Sequence, residues 1–122
     1  MEKQGARPFH GELVTSDAST AQTVTLYDSD KNPFVLRTDE RLVIEQAMLV
    51  CGAAMTVDFF EDIDNDNNVD NGERIISGDF GANGGAQGLF CARYCKLNVS
   101  SLKVKANNAG GIRLIVHGRT GR

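Results

Sequence analysis

Residues 58–80 read DFFEDIDNDNNVDNGERIISGDF, and the fold prediction starts from this stretch. It contains eight of the sixteen acidic residues of the chain and a single basic residue, Arg74. Residues 55–60, which precede the acidic part, alternate in polarity and are rich in β-branched and aromatic side chains, as is typical of a strand. Residues 74–77, which follow it, are too few for a helix before Gly78. The stretch therefore predicts an acidic loop between two β-strands.

The acidic loop has the ligand spacing of a calcium-binding loop. Numbered from its first aspartate, it has oxygen ligands at positions 1, 3, 5, 7, 9 and 12 of the twelve-residue pattern, with a backbone carbonyl at position 7. These ligands are Asp62, Asp64, Asp66, Asn68, Asp70 and Glu73. Asn67 replaces the glycine of position 6, and asparagine also tolerates a left-handed backbone. We predict a calcium site, and the alternative is a polar turn without metal, because Asp and Asn favour turns by themselves.

The composition predicts an all-β fold. The 122 residues suffice for one domain with its own core. Thirteen glycines, the absence of tryptophan, and short apolar runs separated by Gly, Asn and Asp favour many strands joined by tight turns. Strands are expected at 22–27, 34–37, 39–51, 56–60, 74–77, 89–94, 97–105 and 111–117. We predict a single antiparallel β-sandwich or jelly roll of seven or eight strands.

Two segments are expected to lie outside the regular strands. Residues 1–20 have few apolar positions and are interpreted as an extended N-terminal arm, or a loose edge strand, that precedes the sandwich domain at 21–122. The glycine-rich residues 81–88 do not have P-loop spacing and are interpreted as a flexible linker.

Two strand assignments carry alternatives or further expectations. Residues 39–51 are ambiguous, because Asp39 could cap a helix, and we favour a strand. Residues 22–27 and 34–37 are expected to form a hairpin around the turn at 28–33.

The charge distribution disfavours nucleic acid and membrane as partners. Residues 80–122 contain seven of the thirteen basic residues and no acidic residue, although the net charge of the chain is only −3. These basic residues are spread over alternating strands with only Phe90 and Tyr94 to stack on bases, so no nucleic-acid partner is expected. The longest apolar-rich run, 47–54, is too short to span a bilayer.

The cysteines and the N-terminal residues favour a cytoplasmic origin. Three cysteines, Cys51, Cys91 and Cys95, fit a reducing compartment better than a disulfide framework. A zinc site at Cys91-x-x-x-Cys95 is the alternative, but one loosely spaced pair is not specific, and buried thiols are expected. The polar residues 1–10 lack the apolar stretch of a secretion leader.

Catalysis is not expected. The two histidines, His10 and His117, do not lie near a serine or cysteine in a recognisable nucleophile motif. The carboxylates are concentrated in the acidic loop, where cation binding accounts for them without a general acid and base. We therefore predict a protein that is not an enzyme.

Two resemblances extend this interpretation. The acidic loop resembles the strand-flanked calcium loops of bacterial surface β-sandwich modules. Residues 20–118, with the glycine-rich crossover and a last strand of the form Gly-Ile-x-Leu-x-Val-x-Gly, resemble the small decoration or cement proteins of bacteriophage heads. The second resemblance implies a structural virion subunit, assembled in the host cytoplasm as a homo-oligomer, with a trimer favoured, that binds a capsid lattice. The alternatives are a calcium-dependent adhesin, a carbohydrate-binding module or the soluble domain of a pilin-like protein, secreted or on the cell surface if a leader was removed.

Overall fold

The computed structural model describes residues 6–70, 72–90, 92–95 and 101–121. These residues form ten β-strands and no helix, and the strands make two antiparallel sheets that pack against each other. The strands are β1 Pro8–Asp17, β2 Gln22–Thr23, β3 Leu26–Tyr27, β4 Arg41–Cys51, β5 Met55–Glu61, β6 Arg74–Phe80, β7 Gly85–Leu89, β8 Arg93–Tyr94, β9 Leu102–Ala106 and β10 Ala109–Gly121. The predicted all-β sandwich is confirmed, although the described residues form ten strands instead of the predicted seven or eight, and its jelly-roll variant stays a prediction. No helix of the described residues is long and apolar enough to span a membrane.

The two sheets differ in size and in their order of strands. Sheet A has the order β3-β1-β10-β4-β7, and β8 also pairs with β4. Sheet B has the order β2-β9-β5-β6. The long strand β10 therefore lies in the middle of sheet A, bonded to β1 on one side and to β4 on the other.

The core lies between the sheets and follows from the period-two pattern of the strands. In β10, every second side chain from Ile112 to Val116 points inward and is buried. Both sheets contribute large apolar side chains, including Phe9 from sheet A and the fully buried Phe59 from sheet B. Each such side chain stabilises the fold by roughly 1.5–3 kcal/mol relative to an exposed one.

The interpretation of residues 1–20 as an arm is wrong for residues 8–17, which form β1 between β3 and β10. Phe9 is buried in the core. The segment has few apolar residues because Gly11 takes an inward position against Leu26, where an added Cβ would lie 2.8 Å from the Leu26 side chain. β1 thus belongs to the sandwich.

The predicted linker at 81–88 is also wrong, since its second half forms β7 and pairs with β4. Gly84 is needed for close backbone approach instead of flexibility. Gly84 has φ +70°, and a Cβ there would lie 2.0 Å from the carbonyl oxygen of Cys51. The turn at 81–84 therefore brings β7 directly against the end of β4.

The remaining strand predictions are confirmed or adjusted. The strand at 39–51 is confirmed as β4. The hairpin predicted from 22–27 and 34–37 is much reduced. β2 and β3 lie in different sheets, and across the turn at 28–33 the return segment meets β3 through one bridge, Tyr27 to Pro33, and a hydrogen bond from the Phe34 backbone N to the Leu26 carbonyl oxygen. The strand at 89–94 is reduced to β8 and the end of β7, and that at 97–105 corresponds to β9 in the described residues, since 97–100 lie outside them.

Two glycines of β10 provide a test of this packing. An added Cβ at Gly118 would lie 2.2 Å from the Val43 carbonyl oxygen and 2.5 Å from the Phe9 ring, whereas Gly111 has no atom within 4 Å of that position. We expect Gly118→Ala to lower the free energy of unfolding by about 1–3 kcal/mol, because the core would be overpacked. Gly111→Ala, the matched control, should change it by less than about 0.5 kcal/mol. Equal midpoints in urea for the two variants would contradict the placement of β10.

Candidate metal centre

The acidic loop, residues 62–73, connects β5 to β6 at one end of sheet B. Its two ends are held together by the ladder between these strands and by a hydrogen bond from the Glu61 backbone N to the Glu73 carbonyl oxygen, 2.9 Å long. The Asp62 backbone N donates to the carbonyl oxygen of Ser101, at 3.0 Å. The sheet therefore fixes the first and the last predicted ligand next to each other.

Four of the six predicted ligands converge. One carboxylate oxygen from each of Asp62, Asp64, Asp66 and Glu73 lies within 4.8 Å of the others. Asp62 and Glu73 are only 2% and 3% exposed and form the base of the group, whereas Asp64 and Asp66 are exposed. This arrangement could hold a metal ion, because it offers hard oxygen ligands from several directions.

The other two predicted ligands lie beside this group. The Asp70 carboxyl interacts with those of Asp64 and Asp66. The Asn68 backbone N donates to Asp66 Oδ1 at 2.9 Å, and its side-chain oxygen accepts a hydrogen bond from Lys105 Nζ at 3.2 Å. The structure thus brings four ligands together, and the Asp70 carboxyl contacts two of them.

The buried carboxylates also shape the loop backbone. Asp62 accepts hydrogen bonds from the backbone N of Asp66, at 3.2 Å, and of Asn67, at 3.0 Å. Glu73 accepts from the backbone N of Ile63, at 3.0 Å, and of Asp70, at 2.9 Å. Hydrogen bonds to charged acceptors stabilise by about 1.5–3 kcal/mol each. Together these bonds curl the chain around the carboxylate group.

Asparagine takes the place of glycine at the sharp turns, as the sequence predicts for position 6. Asn67 has φ 61° and Asn65 has φ 55°, both in the left-handed region. Asparagine is one of the few residues with a Cβ that adopts this conformation readily. The departure from the loop pattern at position 6 is therefore accommodated by the backbone.

The carboxylates repel one another. Asp64 is exposed, but the surrounding loop atoms still desolvate its carboxylate. The charge of Asp66 and a hydrogen bond with Asp70 add to this effect. Together these three causes raise the pKa of Asp64 to about 6. The pKa of Asp70 is raised as well, first by desolvation and then by the charge of Asp66. A cation among them would relieve this repulsion.

Lys103 is a residue of this site that the sequence prediction missed. From β9, its Nζ donates to Asp62 Oδ2 at 2.6 Å, and its side chain is only 7% exposed. Burial raises the pKa of Asp62, but the hydrogen bonds from Lys103 and from the Asn67 backbone outweigh it, so this pKa is lowered. In the sequence, Lys103 and Lys105 alternate with apolar residues and look like solvent-facing positions, and only the pairing of β9 with β5 brings them to the loop.

The other candidate groups do not form a metal site in the described part of the chain. His10 and His117 are cross-strand partners on sheet A, with ring centroids 6.5 Å apart. Cys51 and Cys95 are buried and free, and Cys91 lies outside the described residues. Among the residues that the structure describes, no second group of three or more His, Cys, Asp or Glu side chains converges.

Comparisons with protein-family models, with curated proteins and with solved structures find no match.

The raised pKa of Asp64, caused first by desolvation and then by the charge of Asp66, predicts a pH dependence in the presence of a chelator. The pKa of Asp64 is higher in the folded chain, at about 6, than its ordinary value of 3.8. Its ionisation therefore destabilises the fold above pH 6, and this effect decreases as the pH falls through 6 toward 3.8. We expect Tm in EDTA to rise between pH 7 and pH 5.

Asp64→Asn removes one repelling charge and should raise Tm in EDTA at pH 7 and flatten its rise toward pH 5. Asp30→Asn, which changes an exposed carboxylate in the separate turn at 28–33, is the control and should behave as the wild type. A lower Tm of Asp64→Asn at pH 7 in EDTA would show that the carboxylates do not repel one another.

Proposed function

We propose that this protein is a non-catalytic β-sandwich module that binds calcium in its acidic loop and acts as a structural subunit. The observation that carries the calcium proposal is the convergence of four carboxylates within 4.8 Å at the end of sheet B. Two of them are buried and held by backbone hydrogen bonds, so the base of the site is already formed. Calcium would connect this base to the exposed half of the loop.

The chemistry of the ligands favours calcium over other common metals. All converging ligands are oxygens, whereas zinc and copper sites use nitrogen or sulfur ligands. Magnesium requires near-ideal octahedral geometry and usually keeps several waters, whereas calcium accepts six to eight oxygens in a flexible arrangement. Four converging carboxylates, with Asp70 beside them, suit the flexible, oxygen-rich coordination of calcium.

The outer face of sheet A supports a role as a structural subunit. Val14 on β1 and Val50 and Met48 on β4 lie on this face, on either side of β10, and are exposed, Val14 by 68%. Phe90, 65% exposed, lies over Gly88, the cross-strand partner of Met48. Exposed apolar side chains grouped on one sheet face are typical of a protein contact surface.

We propose that the occupant of this face is a second copy of the chain, in a homo-oligomer. The face carries an exposed ion pair between Glu12 and Arg113, 2.7 Å long, so one copy can offer either charge to its opposite on another copy. The assembly on a bacteriophage head, the capsid lattice as partner, and the trimeric state follow from the sequence resemblance alone.

Calcium is expected to raise Tm. A ligand that binds only the folded state stabilises by about 2.7 kcal/mol at 100 times its Kd, which corresponds to an increase of several degrees. Glu73→Gln should remove most of this increase, because it takes away the charge and one acceptor oxygen at the closing position. Asp30→Asn, as the control, should keep it. Identical thermal scans of the wild type in millimolar calcium and in EDTA would refute the calcium site.

The proposed contact face is tested by a charge placed at its centre. Val50→Glu should shift the protein toward the monomer in sedimentation or light-scattering measurements, because desolvating a carboxylate in a contact is costly and Arg113, its cross-strand neighbour, is already paired with Glu12. Val35→Glu changes an equally apolar, exposed residue outside the strands and should leave the oligomeric state unchanged. A wild type that is monomeric at high concentration would contradict self-association through sheet A.

A further inference from the structure

Lys103 is a buried cation whose ammonium group is surrounded by oxygen atoms of the acidic loop. Its ammonium group has three N–H donors and meets three side-chain oxygens: Asp62 Oδ2 at 2.6 Å, Asn67 Oδ1 at 2.6 Å and Asn65 Oδ1 at 3.1 Å. The side chain is 7% exposed, and that of Asp62 is fully buried. A lysine buried to this extent requires a paired charge and satisfied hydrogen bonds, and it has both.

Lys103 and the proposed calcium ion use the same carboxylate. Asp62 is the first ligand of the loop and belongs to the group of four that converges within 4.8 Å. A divalent ion in that group and the ammonium on Asp62 would lie only about 6 Å apart, because each would contact an oxygen of the same carboxylate. Charges of +2 and +1 at this separation repel each other enough to weaken binding on the order of tenfold, even with the dielectric constant of water.

We infer that Lys103 is a resident counter-ion that competes with calcium for Asp62, so that calcium binding is an exchange of one cation for another. This inference rests on the proposed calcium site. In the absence of calcium, the ammonium neutralises Asp62 and holds both left-handed asparagines, which keeps the base of the loop folded. When calcium binds, the ammonium withdraws from Asp62. Lys103 thereby lowers the calcium affinity and sets the concentration at which the loop responds.

Lys105 supplies a matched control on the same strand. Its Nζ contacts the loop at the Asn67 carbonyl oxygen and at Asn68 Oδ1, both at 3.2 Å, and it is only partly buried. Its hydrogen-bond acceptors in the loop are thus neutral oxygens. The two lysines differ in the feature that the inference requires, which is a direct pair with a converging carboxylate.

The test compares Lys103→Met with Lys105→Met by calorimetric calcium titration and by thermal scans in EDTA. We expect Lys103→Met to bind calcium about tenfold more tightly than the wild type. It should also melt at a lower temperature in EDTA, because Asp62 loses its counter-ion, and gain more from calcium than the wild type does. Lys105→Met should match the wild type within about twofold in affinity.

The outcomes separate this inference from the calcium proposal. If the wild type binds calcium and Lys103→Met binds it equally or more weakly, the exchange is wrong and the calcium site stands. If neither protein binds calcium, the calcium site is wrong and the exchange falls with it. If only Lys103→Met binds, the exchange is supported in its strongest form.

A measurement on the wild type covers the case in which Lys103→Met does not fold. The buried, hydrogen-bonded ammonium of Lys103 can be followed by nitrogen-detected NMR during a calcium titration. We expect its resonance to shift or broaden as calcium saturates the protein. An unchanged Lys103 Nζ resonance at saturation would overturn the exchange.

Discussion

The double pairing of β10 holds the sandwich together. This strand is hydrogen-bonded to β1 along one side and to β4 along the other, so it joins segments from both ends of the described chain into one sheet. Its inward residues form one wall of the core, against which sheet B packs. Sheet B in turn places β5, β6 and β9 side by side, and these three strands supply the ends of the acidic loop and its lysines.

The balance of charge at the loop links this architecture to function. The pairing of β5 with β6 forces carboxylates together, and desolvation by the loop, followed by the charge of Asp66, raises the pKa of Asp64. The pairing of β5 with β9 brings Lys103 under the same group. The sheet thus supplies both the negative charge that attracts a cation and one positive charge that partly neutralises this negative charge. A loop without this support would spread its charges apart in water.

The sequence predicted what depends on local pattern and missed what depends on distant pairing. The spacing of the acidic residues predicted six ligands, of which four carboxylates converge, and residues 39–51 were correctly favoured as a strand. β1 was predicted to be an arm because Gly11 occupies an inward position, and a glycine is not recognisable as a core residue in a sequence. Lys103 was missed for a related reason: only the register of β9 against β5 shows that it faces the loop.

The burial of Cys95 determines its chemical reactivity. Its thiol is packed in the core next to β8, and desolvation, followed by the charge of Glu61, raises its pKa to about 12. At neutral pH only about one molecule in 10⁵ carries the reactive thiolate at this position, since each pKa unit above the pH reduces that fraction tenfold. Alkylating reagents and oxidants therefore reach Cys95 only when the structure around it opens, and the extent of its modification reports how often this opening occurs.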